Sequence, residues 1–109
     1  MGRVLVGSAL ILLVTLGSAA AQDAARGATL YTEQKCSVCH SIAGKGNAKG
    51  PLDEVGAKLS ADDIRAWIVD APGMTTKTKA ARKPLMKKYD LPKGDVDALV
   101  AYLSTLKKK

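Results

Sequence analysis

Cys36-Ser37-Val38-Cys39-His40 sets two thiols three residues apart and a histidine directly after the second. Thiols at this spacing can add to the two vinyl groups of one porphyrin and form thioethers, and the adjacent imidazole can bind the iron beneath the ring. On a short helical turn Cys36 and Cys39 share one side, so the edge of the haem is fixed and His40 falls in place as the proximal ligand. Three other chemistries use parts of the same pentapeptide. A thioredoxin-like redox pair needs a βαβ setting, and the chain shows no alternation of apolar strand runs with helices. A structural zinc site needs four nitrogen or sulfur ligands, whereas the chain has two cysteines and one histidine. A disulfide across two residues leaves His40 without a role. The expected cofactor is one covalently held haem c.

The second axial position can then be argued from what the chain has left. His40 is the only histidine, so two imidazoles from one chain cannot share the iron. Methionine remains. Met86, flanked by Pro84 and Leu85, sits where a backbone crossing the distal face could present its sulfur; Met74, two residues after Pro72, is the alternative. The ordinary use of any methionine is to fill a core. The expected cofactor-binding set is Cys36, Cys39, His40 and Met86, with His40 and Met86 on the iron and no catalytic residue. Two protein ligands leave no position for a substrate, which favours electron transfer. Thioether ligation also suits ferrous iron and raises the reduction potential. A haem enzyme or gas sensor, in which Met86 is not on the iron, is the contrasting expectation; no distal histidine or arginine motif supports it.

These residues need helices to hold them. Asp23 to Gln34 reads as the first helix, with Asp23 placed to cap it and Ala24, Ala28, Leu30 and Tyr31 among polar neighbours. Gly44, Gly46, Asn47, Gly50 and Pro51 mark a loop. Ser60, with Asp63 three residues on, starts a middle helix whose Ile64, Trp67 and Ile68 recur at helical spacing and which should end before Pro72-Gly73. Thr75 to Lys88 carries five lysines and one arginine without strand alternation and reads as an irregular strap. The last helix begins near Pro92 to Asp95 and has an apolar face of Val96, Leu99, Val100, Leu103 and Leu106. An all-α domain is expected, and it has no phenylalanine for its core. Domains this small usually lean on a cofactor, so the haem-free chain should be largely disordered.

The N-terminus reads as an export signal: Arg3, an apolar stretch from Val4 to Leu16, and the small residues Gly17 to Ala21. Cleavage is expected after Ala21, giving residues 1–21 as signal peptide and 22–109 as the mature domain, in the periplasm. The apolar stretch is shorter than the roughly 20 residues of a spanning helix, so membrane contact should be peripheral at most. The formal charge of +7 falls by one with Arg3. Lys45, Lys49, Lys77, Lys79, Arg82, Lys83, Lys87 and Lys88 lie in the segments expected to border the haem. Such a rim favours redox proteins with acidic docking surfaces and makes encounter salt-sensitive. Nucleic acid is excluded as a partner of an exported haem domain, and a monomer is expected.

In this order the motifs resemble those of the class I monohaem cytochromes c of bacteria, over essentially all of residues 22 to 109. The resemblance implies a small cytochrome c fold of three to four helices around one haem. It implies that Gly27 and Tyr31 on the first helix pack against Leu99 and Tyr102 on the last. It further implies that the Pro51 carbonyl of Gly50-Pro51-Leu52 accepts the proton on the second nitrogen of His40, that Trp67 stands against the haem, and that Met86 is the distal ligand. Where the family often reads Met-Pro, this chain reads Met86-Lys87, with the proline at 84. The implied function is shuttling of single electrons between periplasmic or membrane-bound oxidoreductases, either as a free carrier or as a dedicated subunit of one larger complex.

Overall fold

The computed structural model describes residue 2 and residues 19–107; most of the expected signal segment lies outside them. Helix α1 covers Ala19–Glu33. It starts upstream of Asp23, which therefore lies within the helix and does not cap it, and it runs through the expected cleavage position. A 3₁₀ turn, Cys36–Val38, follows, then a two-stranded antiparallel hairpin of β1 (Ser41–Ile42) and β2 (Lys45–Gly46). Both central residues of its loop, Ala43 and Gly44, have positive φ, as tight hairpin loops require. Ala43 is held there by its N–H, which donates to Asp53 Oδ1 at 2.7 Å. The sequence marked this region only as loop.

The one-turn helix α2 (Val55–Lys58) precedes α3 (Ala61–Val69). Ser60 Oγ accepts from the Asp63 N–H at 3.1 Å, the expected cap, and Ile64 and Ile68 are buried. α3 ends before Pro72 as expected, but Pro72-Gly73 does not open a loop. Asp70 Oδ1 accepts from the Gly73 N–H at 3.2 Å and caps a further helix, α4 (Ala71–Thr78). Proline suits this first turn because its missing N–H would have had no partner there. The irregular strap is correspondingly shorter. It leaves α4 through Lys79, at φ 56°, and reaches α5 (Lys93–Ser104) by way of Tyr89, whose N–H donates to the Ile68 carbonyl at 2.8 Å.

The core lies where α5 crosses α1 and α3. Leu30 and Tyr31 from α1, Ile64 and Ile68 from α3, and Val96, Leu99 and Leu103 from α5 form one cluster. Each large aliphatic side chain so buried contributes about 1.5 to 3 kcal/mol. A Cβ on Gly27 would stand 2.5 Å from the Cβ of Tyr102 and run into the Ala98 carbonyl, so only glycine permits this crossing. The Tyr31 and Tyr102 rings meet edge to face at 6.1 Å. Burial pushes the Tyr31 phenol up to about 12, so it enters the core neutral. The fold is all-α apart from the small hairpin, with α4 and the single turn α2 added to the three helices read from sequence.

Candidate haem site

α1 delivers the chain to the cysteine turn through Lys35, which at φ 57° turns the backbone out of the helical direction. Within the turn the Cys39 and His40 N–H groups both donate to the Cys36 carbonyl, at 3.2 and 2.9 Å. This winding brings Cys36, Cys39 and His40 together. Asn47, which the sequence marked only as part of a loop, clamps the turn from outside. Its N–H donates to the His40 carbonyl at 2.9 Å, and its Nδ2 donates to the Val38 carbonyl at 3.2 Å. A polar side chain inside a glycine-rich stretch was the available signal, but nothing in the sequence said which backbone it would meet.

Cys36, Cys39 and His40 line a cavity of about 980 Å³, at the upper end of the range for small-molecule sites. Leu59, Ile64 and Ile68 supply apolar wall, Trp67, which the resemblance sets against the haem, also lines it, and Met86 lines it from the strap. Met74 does not line it; the side chain is buried in α4.

His40 Nδ1 lies 3.0 Å from the Gly50 carbonyl oxygen. A carbonyl can only accept, so Nδ1 carries the proton and Nε2 keeps its lone pair for a metal. The expected acceptor was the Pro51 carbonyl, and the structure corrects this by one residue. Pro51 bridges Ser41, with the Ser41 N–H donating to the Gly50 carbonyl at 3.0 Å and the Leu52 N–H to the Ser41 carbonyl at 2.8 Å. Successive carbonyls of extended backbone face opposite ways, so the one turned toward β1 and His40 belongs to Gly50. Burial holds His40 below the ordinary imidazole pKa; the Gly50 bond opposes this and the Arg82 guanidinium adds to it. The ring is thus neutral at neutral pH, the form that binds metal.

Both cysteines are half-buried free thiols. Burial pushes the Cys36 thiol up, its backbone hydrogen bond pulls it down, and neighbouring Cys39 raises it further. The site fits a haem on the chemistry of its donors: two thiols three apart, an imidazole with a free Nε2, a thioether, and a largely apolar cavity between them. Of the basic residues expected at the opening, Arg82 lines the cavity itself, as do Lys35 and Lys58, which were not in the expected set. Lys45 lines a separate, smaller cavity with Tyr31 and Tyr102. Lys87 Nζ stands 5.0 Å over the Tyr89 ring.

Helices enclosing such a cavity beside a CxxCH turn define a c-type haem protein. The cytochrome c family model matches residues 24–107, and the chain belongs to that family. Its chemistry is haem-based electron transfer. A curated relative, cytochrome c oxidase subunit 2 of Alkalihalophilus pseudofirmus, is 29% identical over 91 residues, covering 75% of this chain. The chain spans 25% of that relative's length. No solved structure matches the chain.

Proposed function

We propose that the protein is a single-electron carrier in which His40 and Met86 bind opposite sides of one haem iron and Cys36 and Cys39 hold the porphyrin covalently. Haem, when bound, supplies a one-electron ferric/ferrous couple. The observation that supports the proposal is that an imidazole, its proton committed to Gly50, and a thioether from the strap line one cavity. His40 keeps one tautomer through this bond, which raises its basicity toward iron. Met86 closes the other side and excludes an exogenous ligand, so the reading is a carrier and not an enzyme. Leu59, Ile64 and Ile68 keep water from the site and favour the less charged, reduced state.

Residues 1–21 act as an export signal cleaved after Ala21, and the mature domain works as a monomer in the periplasm. Cleavage there trims the first turn of α1 and leaves the buried Gly27, Leu30 and Tyr31 in place. Among the described residues no helix is long and apolar enough to cross a membrane. Lys49, Lys79, Lys83, Lys87 and Lys88 are exposed and form the docking charge for acidic redox partners. The match to part of an oxidase subunit favours a second reading, the same domain as a dedicated electron entry to one larger oxidoreductase.

The test is an optical spectrum of the haem-loaded protein, ferric and ferrous, with carbon monoxide added to the ferrous form. A ferric sulfur-to-iron charge-transfer band and no response to carbon monoxide are expected. Ready carbon monoxide binding at neutral pH would remove Met86 from the iron and replace the carrier with an enzyme or sensor.

A further inference from the structure

Arg82 sits four residues before Met86 on the strap, yet its guanidinium reaches the segment that supports His40. Its Nη1 lies 2.5 Å from where a Cβ on Gly50 would stand, and His40 Nδ1 lies 3.0 Å from the same point. A Cβ there would meet the Cys39 carbonyl oxygen first, so the backbone of the cysteine turn is what requires glycine, and the guanidinium and the imidazole approach the same uncovered point. Arg82 forms no ion pair among the described residues, although Arg26, Arg65, Lys58 and Lys93 all do. The strap itself is weakly held. Its backbone is tied at Ala80, whose N–H donates to the Thr75 carbonyl at 3.1 Å, and at Tyr89. Among the described residues, no backbone hydrogen bond joins residues 81–88 to the rest of the chain.

We propose that Arg82 is a positioning residue for the redox site: its guanidinium, laid over Gly50 beside the His40 ring, braces the segment bearing Met86 against the segment bearing His40. This rests on the reading of His40 and Met86 as the two iron ligands. Two consequences follow from the placement. A fixed positive charge beside the proximal ligand disfavours the extra positive charge of the ferric state, which raises the reduction potential. The same group covers the His40 Nδ1–Gly50 hydrogen bond and slows exchange of its proton with solvent. Burial is the main cause that lowers the His40 pKa, and the Arg82 charge adds to it, in keeping with this proximity.

The experiment compares haem-loaded wild type with Arg82→Gln, Arg82→Lys and Lys83→Gln. Lys83→Gln removes the same charge one residue away, from an exposed side chain with no partner in the cavity wall. At a fixed ambient potential the ferrous-to-ferric ratio should fall about fivefold in Arg82→Gln, the size of a partly screened unit charge at close range. It should stay within twofold of wild type in Lys83→Gln. Exchange of the His40 Nδ1 proton, followed by NMR of the ferrous protein, should quicken several-fold in Arg82→Gln. Arg82→Lys should restore most of the ratio but not the slow exchange, because an ammonium keeps the charge without the planar cover. Equal ratios in Arg82→Gln and Lys83→Gln, or unchanged proton exchange in Arg82→Gln, would overturn the proposal. The charge-transfer band of the ferric wild type is recorded first; its absence sinks the Met86 reading alone, since the His40 proton and the ratio report on Arg82 without it.

Discussion

Between α1 and α5 the chain packs backbone on side chain. Gly27 lies against Ala98 and Tyr102, Tyr31 meets Tyr102 edge on, and Leu30 and Leu99 share the core cluster. Across the cavity, the strap is held differently: residues 81–88 have no backbone hydrogen bond to the rest among the described residues, and all but Met86 are exposed. One region is positioned by close packing that tolerates no added atom, the other by a few side chains that face a cavity. A protein built this way has a rigid half that carries the cysteine turn and a pliable half that carries the thioether. The cavity also leaves apolar surface uncovered, since Leu52, Leu59 and Trp67 line it and are only half-buried, while Ile64 and Ile68 are already covered.

The largest effect expected from this contrast is removal of the haem. Without it the half-buried Leu52, Leu59 and Trp67 keep their uncovered apolar surface, and among the described residues no large side chain is less than 2% exposed. The haem-free chain should lose most of its far-UV helical signal; a cooperative, native-like thermal transition would show that the packed half stands alone. Next comes Gly27→Val, which forces the α1 and α5 backbones apart and should cost about 3 kcal/mol in denaturant unfolding of the holoprotein. A loss below 1 kcal/mol would mean that the two helices slide freely.

The two methionines sharpen the comparison most directly. Met74→Ala should cost about 2 to 3 kcal/mol and leave the visible spectrum unchanged, because its side chain is buried in α4 away from the cavity. Met86→Ala should do the reverse, opening the iron to carbon monoxide with a smaller stability loss. Exchanged phenotypes would reassign the distal ligand. Ser60→Ala removes the cap of α3 and should cost about 1 kcal/mol with no spectral change. The smallest effect belongs to Asp97, whose carboxyl is held below its ordinary pKa by the hydrogen bonds of Lys93 and Arg65. The stability it contributes is present above the ordinary carboxylate pKa and is lost as pH falls through the depressed folded value. Asp97→Asn should flatten that acid limb slightly, and an unchanged limb would show that these exposed pairs contribute nothing.

Much of the rigid half was legible because its signals are local. The apolar spacing of Val96, Leu99, Val100 and Leu103 can face only one way on a helix, and Ser60 followed by Asp63 describes a cap complete within four residues. The pliable half was harder. Pro72-Gly73 was read as a stop because proline ends most helices, but Asp70, two residues before Pro72, supplies the acceptor that lets a new one begin. The hairpin loop was missed because Ala43 is a poor choice for positive φ, and the Asp53 carboxylate that holds it lies ten residues away.

By itself, then, the sequence determined the haem-binding motif and the helical scaffold: cysteine spacing, a lone histidine and apolar periodicity act over a few residues, where chain connectivity already dictates what meets what. Only the tertiary structure decided which carbonyl orients His40, which methionine lines the cavity, and that Arg82 reaches Gly50. Each of these joins segments separated by loops, and the direction of a backbone carbonyl or the reach of a guanidinium depends on how those loops are folded against one another.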